Sequence, residues 1–365
     1  MRLRTTRLAT AFLLAGLLAA PLAAQSLRIS PVVQGLVEPW GLDFLPDGGF
    51  LVTERGGRLL YFAGNGAAVQ PVSGLPDFAV GGQGGLLDVM VPRDFATSRR
   101  VWISYAAPAG NGGAGTAMGF GRLSDDATRL DEFRVVHAPS ARTGGRHFGA
   151  RLVEAGDGTV FLTTGDRGQD MLAQDIRGPE GKVLAFAPDG TPQTAPAFAS
   201  MANTVPGLHS FGHRNIQGAA LDASGQLWVV EHGARGGDEV NRVEPGRNYG
   251  WPIISYGVHY SGAKIGEGTH REGMEQPEHY WDPSIAPSGL AILSGRMFPD
   301  WQGHFLTGSL NSGFISRLDP EDGFREHRIE TPETGRVRDV VEAPDGAIWF
   351  LSVTDGAAYR MAPEG

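Results

Sequence analysis

The sequence predicts an all-β chain, a six-bladed β-propeller with long loops on its faces. Two observations carry this. A short unit recurs along the chain, made of an apolar run, a tight turn and a second apolar run. Glycine accounts for 54 of 365 residues, about twice the usual share, as many short strands joined by tight turns require. A β-sandwich would share the strands but leaves the repeated unit unexplained.

Taken in order, residues 1–24 read as a secretory leader. Arg2, Arg4 and Arg7 precede an apolar run, and Leu22-Ala23-Ala24 offers small residues for cleavage. The run is short and broken by Pro21, which argues against a membrane anchor. The mature chain, 25–365, is then expected as one propeller domain, periplasmic or secreted. Residues 26–33 are expected to add an outer strand to the last blade and so close the ring. The first full unit is Trp40-Gly41-Leu42-Asp43-Phe44, the turn Pro46-Asp47-Gly48-Gly49, and Phe50-Leu51-Val52-Thr53-Glu54. It recurs at 150–163 around Gly156-Asp157-Gly158, at 218–230 around Ser224-Gly225, and at 339–351 around Pro344-Asp345-Gly346. Weaker copies lie at 86–105 and 290–306. Third strands are expected at 57–62, 182–186 and 314–318. The stretches 106–145, 191–210 and 256–287 are left as loops, whose length suggests function.

The composition excludes some classes of partner. Formal net charge is −9 and there is no basic run, which argues against nucleic acid and anionic lipid. Cysteine is absent, so neither disulfides nor thiolate metal sites are available despite the leader. No segment after the leader is apolar enough to span a bilayer.

The chain is organised around residues 210–252. His213-Arg214-Asn215 presents a fixed cation beside an amide in a glycine-flanked loop, and Glu231 to Glu239 packs charge and glycine into another. Gly233, Gly236 and Gly237 let carbonyls turn toward a bound group, as oxygen-seeking cations need. Cations, amides and carbonyls at strand ends suggest a polar anionic cofactor and a hard cation; ordinary surface salt bridges are the other reading. His147 lies just before one strand of a hairpin and Asp166 just after the next, so both fall at one end of the blade. That suits an imidazole base held by a carboxylate, although a loop histidine capping a carbonyl would look the same. Strand alternation would place Arg336 and Arg338 on one side as a carboxylate clamp, or on a solvated strand face.

Gly212-His213-Arg214-Asn215 with Gln217-Gly218, Glu231-His232-Gly233 with Gly236-Gly237-Asp238-Glu239-Val240-Asn241, and Asn248-Tyr249-Gly250-Trp251-Pro252 form a long ordered set. This set resembles the soluble quinoprotein aldose dehydrogenases that use pyrroloquinoline quinone (PQQ), the glucose/sorbosone dehydrogenase group, from about Leu36 to the C-terminus. The resemblance implies oxidation of aldoses at the anomeric carbon to the lactone. His147 would be the base, assisted by Asp166, with hydride passing to a quinone carbon polarised by Ca²⁺ and Arg214. Arg214 and Asn215 would lie over the quinone, and Arg336 and Arg338 would bind its carboxylates. Gln83 matches a glutamine near sugar and quinone, and Tyr260 is a candidate aromatic edge. Asn311 falls where the family commonly has lysine, one charge short. The carbonyls of Gly233 and Ala234 map to the Ca²⁺ beside the quinone, with Ala234 replacing the usual proline. Glu239 and the Tyr249 carbonyl match a second, structural Ca²⁺ site. His213 and His232 look like packing residues beside the cofactor.

The expected partners are an aldose and an unidentified electron acceptor, for a chain that is monomeric or homodimeric. The rival readings are a Ca²⁺-dependent propeller lactonase, which needs an all-protein metal cage and no carboxylate clamp, and a non-enzymatic binding scaffold.

Overall fold

The structure is a computed structural model that describes residues 26–64, 69–110, 112–139 and 144–364. The leader expected at 1–24 lies outside the described residues.

Six four-stranded antiparallel sheets form the blades of a propeller. β1 (Leu27–Gln34) is set apart from its sequence neighbours. Blade 1 is β2 (Pro39–Phe44), β3 (Phe50–Glu54), β4 (Arg58–Phe62) and β5 (Val69–Val72). Blade 2 is β6 (Leu86–Met90), β7 (Arg100–Pro108), β8 (Ala114–Leu123) and β9 (Leu130–His137). Blade 3 is β10 (Gly149–Glu154), β11 (Val160–Thr164), β12 (Lys182–Phe186) and β13 (Leu208–Phe211). Blade 4 is β14 (Ile216–Leu221), β15 (Leu227–Glu231), β16 (Asp238–Val243) and β17 (His279–Trp281). Blade 5 is β18 (Pro287–Ile292), β19 (Phe305–Ser309), β20 (Ile315–Asp319) and β21 (Arg325–Ile329). Blade 6 is β22 (Val337–Glu342), β23 (Ile348–Ser352) and β24 (Ala357–Pro363), completed by β1, which pairs antiparallel with β24 from Leu27↔Pro363 to Gln34↔Ala357. The expected closure by the N-terminal strand is therefore found.

The hairpin turns explain the repeat. In blades 1, 3 and 6 an Asp carboxylate accepts the N–H two residues on, from Gly49, Thr159 and Ala347. The glycine between them sits at φ +86, +87 and +87, a backbone state that an L side chain rarely adopts.

One expectation fails. Residues 106–145 are not a loop: they contain the end of β7 and all of β8 and β9. Glycines interrupt the alternation of β8, and they are needed there because a Cβ on Gly119 would lie 2.4 Å from the Arg134 carbonyl. Residues 256–287 likewise include β17, and 191–210 include the start of β13.

The inner strands β2, β6, β10, β14, β18 and β22 neighbour one another around a central channel. Each is irregular in register near its start. One layer is formed by Gly41, Gly218 and Asp339, where pairing resumes, and by Asp88, Arg151 and Gly289, each directly before the resumed pairing at Val89, Leu152 and Leu290. Two of these glycines, Gly41 and Gly289, make room for carboxylates. A Cβ on Gly41 would come within 2.6 Å of the Asp88 carboxylate, and one on Gly289 within 2.0 Å of that of Asp339. Arg151 Nη1 lies 2.9 Å from Asp88 and 3.0 Å from Asp339, and its Nε–H donates to the Gln217 carbonyl at 3.1 Å. Its guanidinium also rests 4.5 Å from the Trp40 ring centroid, so one side chain from blade 3 reaches four other blades.

Candidate active site

The blade geometry brings His147 and Asp166 together. Gly149 of β10 pairs with Thr164 of β11, so the residues flanking that pair emerge at one end of blade 3. His147 Nδ1 lies 2.6 Å from Asp166 Oδ1, and both side chains are buried. An ionised carboxylate only accepts, so Nδ1 carries the proton and Nε2 is left as the basic nitrogen. Asp166 also accepts from the Gly168 N–H at 2.6 Å and from the Trp251 indole N–H at 2.8 Å. The His147 backbone N–H donates to Gln83 Oε1 at 2.6 Å. Gly165 permits this close approach, since a Cβ there would lie 2.2 Å from the His147 carbonyl. Burial lowers the pKa of His147; its hydrogen bond to Asp166 opposes that, while the charges of Arg214 and Arg146 add to it. The balance favours the neutral ring, the form that can accept a proton.

Beside this pair is a cavity of about 350 Å³. Gln83, Asn215, Asn311, Arg336 and Arg338 all line it. Arg338 lies in β22 and donates to Gln217 Oε1 at 2.8 Å, and Arg336, just before β22, donates to the Leu310 carbonyl at 2.5 Å. Burial, with the neighbouring charges of Arg336 and Arg151, pushes Arg338 down to about 9. That is still a cation at neutral pH. Asn311 donates to the Ser284 carbonyl at 3.2 Å and accepts from Ser312 Oγ at 2.6 Å. His147 and Arg214 are not part of the lining; their chain neighbours Phe148 and Asn215 are.

Sequence reasoning assigned no role to Glu38, Trp40, Arg55 and Gln217, which also line the cavity. Arg55 forms a two-pronged ion pair with Glu38 at 2.6 and 2.7 Å and donates to the carbonyls of Gly82 and Gly84, bracketing Gln83. No local spacing links these loops. Trp40 and Gln217 occupy one position of the repeat, directly before the channel layer, and that signal was present. Tyr260 does not line the cavity and is 74% exposed.

The Gly233 loop folds back tightly: a Cβ on Gly233 would lie 2.2 Å from the Gly236 carbonyl and 2.3 Å from that of Gly237. Gly236 and Gly237 adopt φ +76 and +72. The Gly233 N–H donates to Asp238 at 2.8 Å, which fixes the loop. Arg214 Nη1 donates to the carbonyls of His232 and Gly233, its Nε is buried without a partner, and its guanidinium lies 5.1 Å from the Trp251 ring centroid. Among the described residues no group of three His, Asp or Glu side chains could hold a metal, so a cation here would rest on carbonyls. Glu239 is half-buried, and desolvation with the nearby Glu231 and Asp238 charges pushes it up to about 8. Its partner is the Asn241 amide at 3.0 Å. Tyr249 stacks on His213 at 4.5 Å and its hydroxyl donates to the Arg242 carbonyl at 2.6 Å. His213 is fully buried between Ser210 and Glu231, at 2.9 and 2.8 Å. His232 lines the cavity, approaches the Pro287 carbonyl at 2.8 Å, and is pushed down to about 3 by burial.

A sequence model of glucose/sorbosone dehydrogenases matches residues 36–360. The chain belongs to the glucose/sorbosone dehydrogenase family. Within this family it is 39% identical to the aldose sugar dehydrogenase YliI of Escherichia coli K12 over 350 residues, 93% of this chain and 94% of that one. The crystal structure of the soluble aldose sugar dehydrogenase from Escherichia coli in the apo-form superposes with a TM-score of 0.86 at 38% identity, covering 93% of this chain and 100% of the other. Quinoprotein glucose dehydrogenase B of Acinetobacter calcoaceticus is 25% identical over 421 residues, 92% of this chain and 86% of that one. Among the described residues no helix is long and apolar enough to cross a membrane.

Proposed function

We propose that this chain is a PQQ-dependent aldose dehydrogenase that oxidises the anomeric carbon of a sugar to the lactone. The observation that carries the reading is the buried His147–Asp166 pair beside a cavity walled by Arg336, Arg338 and the amides of Gln83, Asn215, Asn311 and Gln217. Two cations and a set of amides suit a ligand with several carboxylates and carbonyl oxygens, and family membership supports PQQ as that ligand. Glu38 does not oppose it, because Arg55 pairs with that carboxylate. The crowded carbonyl loop fits a hard cation, which Gly233 and Ala234 would hold. Glu239 and the Tyr249 carbonyl are proposed for a second, structural Ca²⁺.

When bound, the cofactor supplies a quinone carbonyl, polarised by Ca²⁺, that accepts hydride. The chain's own residues do the rest. His147 Nε2 takes the proton of the anomeric hydroxyl as hydride leaves the same carbon. Asp166 holds the Nδ1 proton in place and stabilises the imidazolium that forms. Arg214 and Asn215 add positive charge and a donor beside the site of reduction, and Gln83 ties the loop across the cavity to the His147 backbone. Since burial lowers His147, kcat/KM is expected to rise with pH along a limb below that of an ordinary histidine.

Dye reduction across a panel of aldoses, with and without added PQQ and Ca²⁺, tests this reading. Activity is expected only with both. A lactonase would instead hydrolyse lactones without PQQ, and a scaffold would do neither. Asn311→Lys is expected to tighten PQQ binding about five- to thirtyfold, because a charge-assisted bond is roughly twice as strong as a neutral one. Titration of apo-protein with PQQ in Ca²⁺ measures this. An unchanged Kd would mean that Asn311 does not face that carboxylate or that another cation already meets it.

A further inference from the structure

The segment between β16 and β17 leaves blade 4 and runs beside the strand ends that carry His147, Asp166 and Arg214. Trp251 is the residue it delivers there. The position is pinned through the backbone: the Trp251 N–H donates to the Gly212 carbonyl at 2.9 Å, and its carbonyl accepts from Gln174 Nε2 at 2.7 Å. Its side chain is buried against Ala173, Ala234 and Ile265. Two polar contacts leave this ring. The indole N–H donates to Asp166 Oδ2 at 2.8 Å, and the Arg214 guanidinium lies over the ring at 5.1 Å.

We propose that Trp251 is a positioning residue joining the two halves of the reaction centre: its N–H holds the carboxylate that serves His147, and its ring face seats Arg214. The proposal rests on the reading of His147 as the base. Asp166 Oδ1 serves His147 and the Gly168 N–H, and the Trp251 indole N–H donates to Oδ2. A donor on Oδ2 fixes the carboxylate plane and draws off negative charge, so the carboxylate pulls less strongly on the Nδ1 proton. Without it, Asp166 would favour the imidazolium, and His147 would stay protonated, and unable to act, to higher pH. The other charged or titratable groups acting on His147 are Arg214, Arg146 and His232, and Trp251→Phe leaves them in place. Phenylalanine also keeps a ring face for Arg214.

The first test uses wild-type apo-protein and no activity. In a ¹H–¹⁵N NMR titration the Trp251 indole N–H resonance should move with pH, at the same midpoint as the His147 ring protons. An indole resonance that ignores that titration overturns the proposal, whether or not any variant folds. The second test uses PQQ- and Ca²⁺-loaded Trp251→Phe. Its kcat/KM should fall about tenfold at the acidic foot of the profile and stay within about twofold on the plateau. Trp251→Leu, which also removes the ring face, should lower the plateau as well. A uniform loss at every pH in Trp251→Phe, with the limb unmoved, would reduce Trp251 to a packing residue and overturn the assignment. If wild-type protein oxidises no aldose, the reading of the base fails, while the NMR titration still reports on the Trp251–Asp166–His147 linkage.

Discussion

His147→Gln is expected to lower kcat at least about a hundredfold while leaving PQQ affinity near that of the wild type. Glutamine approximates the size of the ring and can still meet Asp166, but its amide has no basic atom to place where Nε2 stands. Arg336, Arg338 and Asn311 line the cavity and are untouched by the change. The two properties should therefore separate: titration of the variant with PQQ reads binding, and steady-state dye reduction reads turnover. Wild-type turnover in a loaded His147→Gln protein would remove His147 from the reaction. Loss of binding together with turnover would show that the substitution had disturbed the cavity.

The largest expected effect on stability lies beneath the site. Arg151→Met should cost about 3–5 kcal/mol, because removing one member of a buried ion pair leaves its partners uncompensated. Here the partners are two carboxylates, Asp88 and Asp339, from two different blades. For a chain of this size that corresponds to roughly 4–7 °C in the unfolding midpoint. The loss should depend on pH. Burial already pushes Asp88 up to about 7, with Arg151 opposing, so losing Arg151 raises it further. A carboxyl raised in the folded state holds its proton more tightly there than in the unfolded chain. Its stabilisation is complete below the unfolded value near 4 and is lost as pH rises through the folded value. The variant's deficit should accordingly be greatest above pH 7 and shrink toward pH 5, as calorimetry at both pH values would read. A deficit that is small and independent of pH would mean that water or a neighbouring group had replaced the guanidinium. Trp40 and Gln217 touch Arg151 and line the cavity, so the same variant is expected to weaken PQQ binding as well.

Much of this architecture could be read from the chain. The Asp-Gly turns set the hairpins, and the hairpins set the blades, because turn chemistry and two-residue alternation are local properties of sequence. The ends of β10 and β11 are local too, so the pairing of His147 with Asp166 was open to inference from two strands and a turn. Residues 106–145 escaped because glycines that make room for a neighbouring backbone look, in sequence, like glycines in a loop. Their reason lies across the sheet, at Phe133 and Arg134.

What sequence alone determined is thus the repeated unit, its turns and the residue types gathered at the strand ends. Tertiary structure decided which of those residues meet. Closing six strands around one channel set Gly41 beside Asp88 and Gly289 beside Asp339, where glycine supplies the space that the carboxylates fill. It set Arg55 and Glu38 on the cavity wall and left Tyr260 outside it. It carried Trp251 to Asp166 across 85 positions of chain. Such contacts depend on the curvature of the whole ring, and no local pattern encodes a distance that only closure creates.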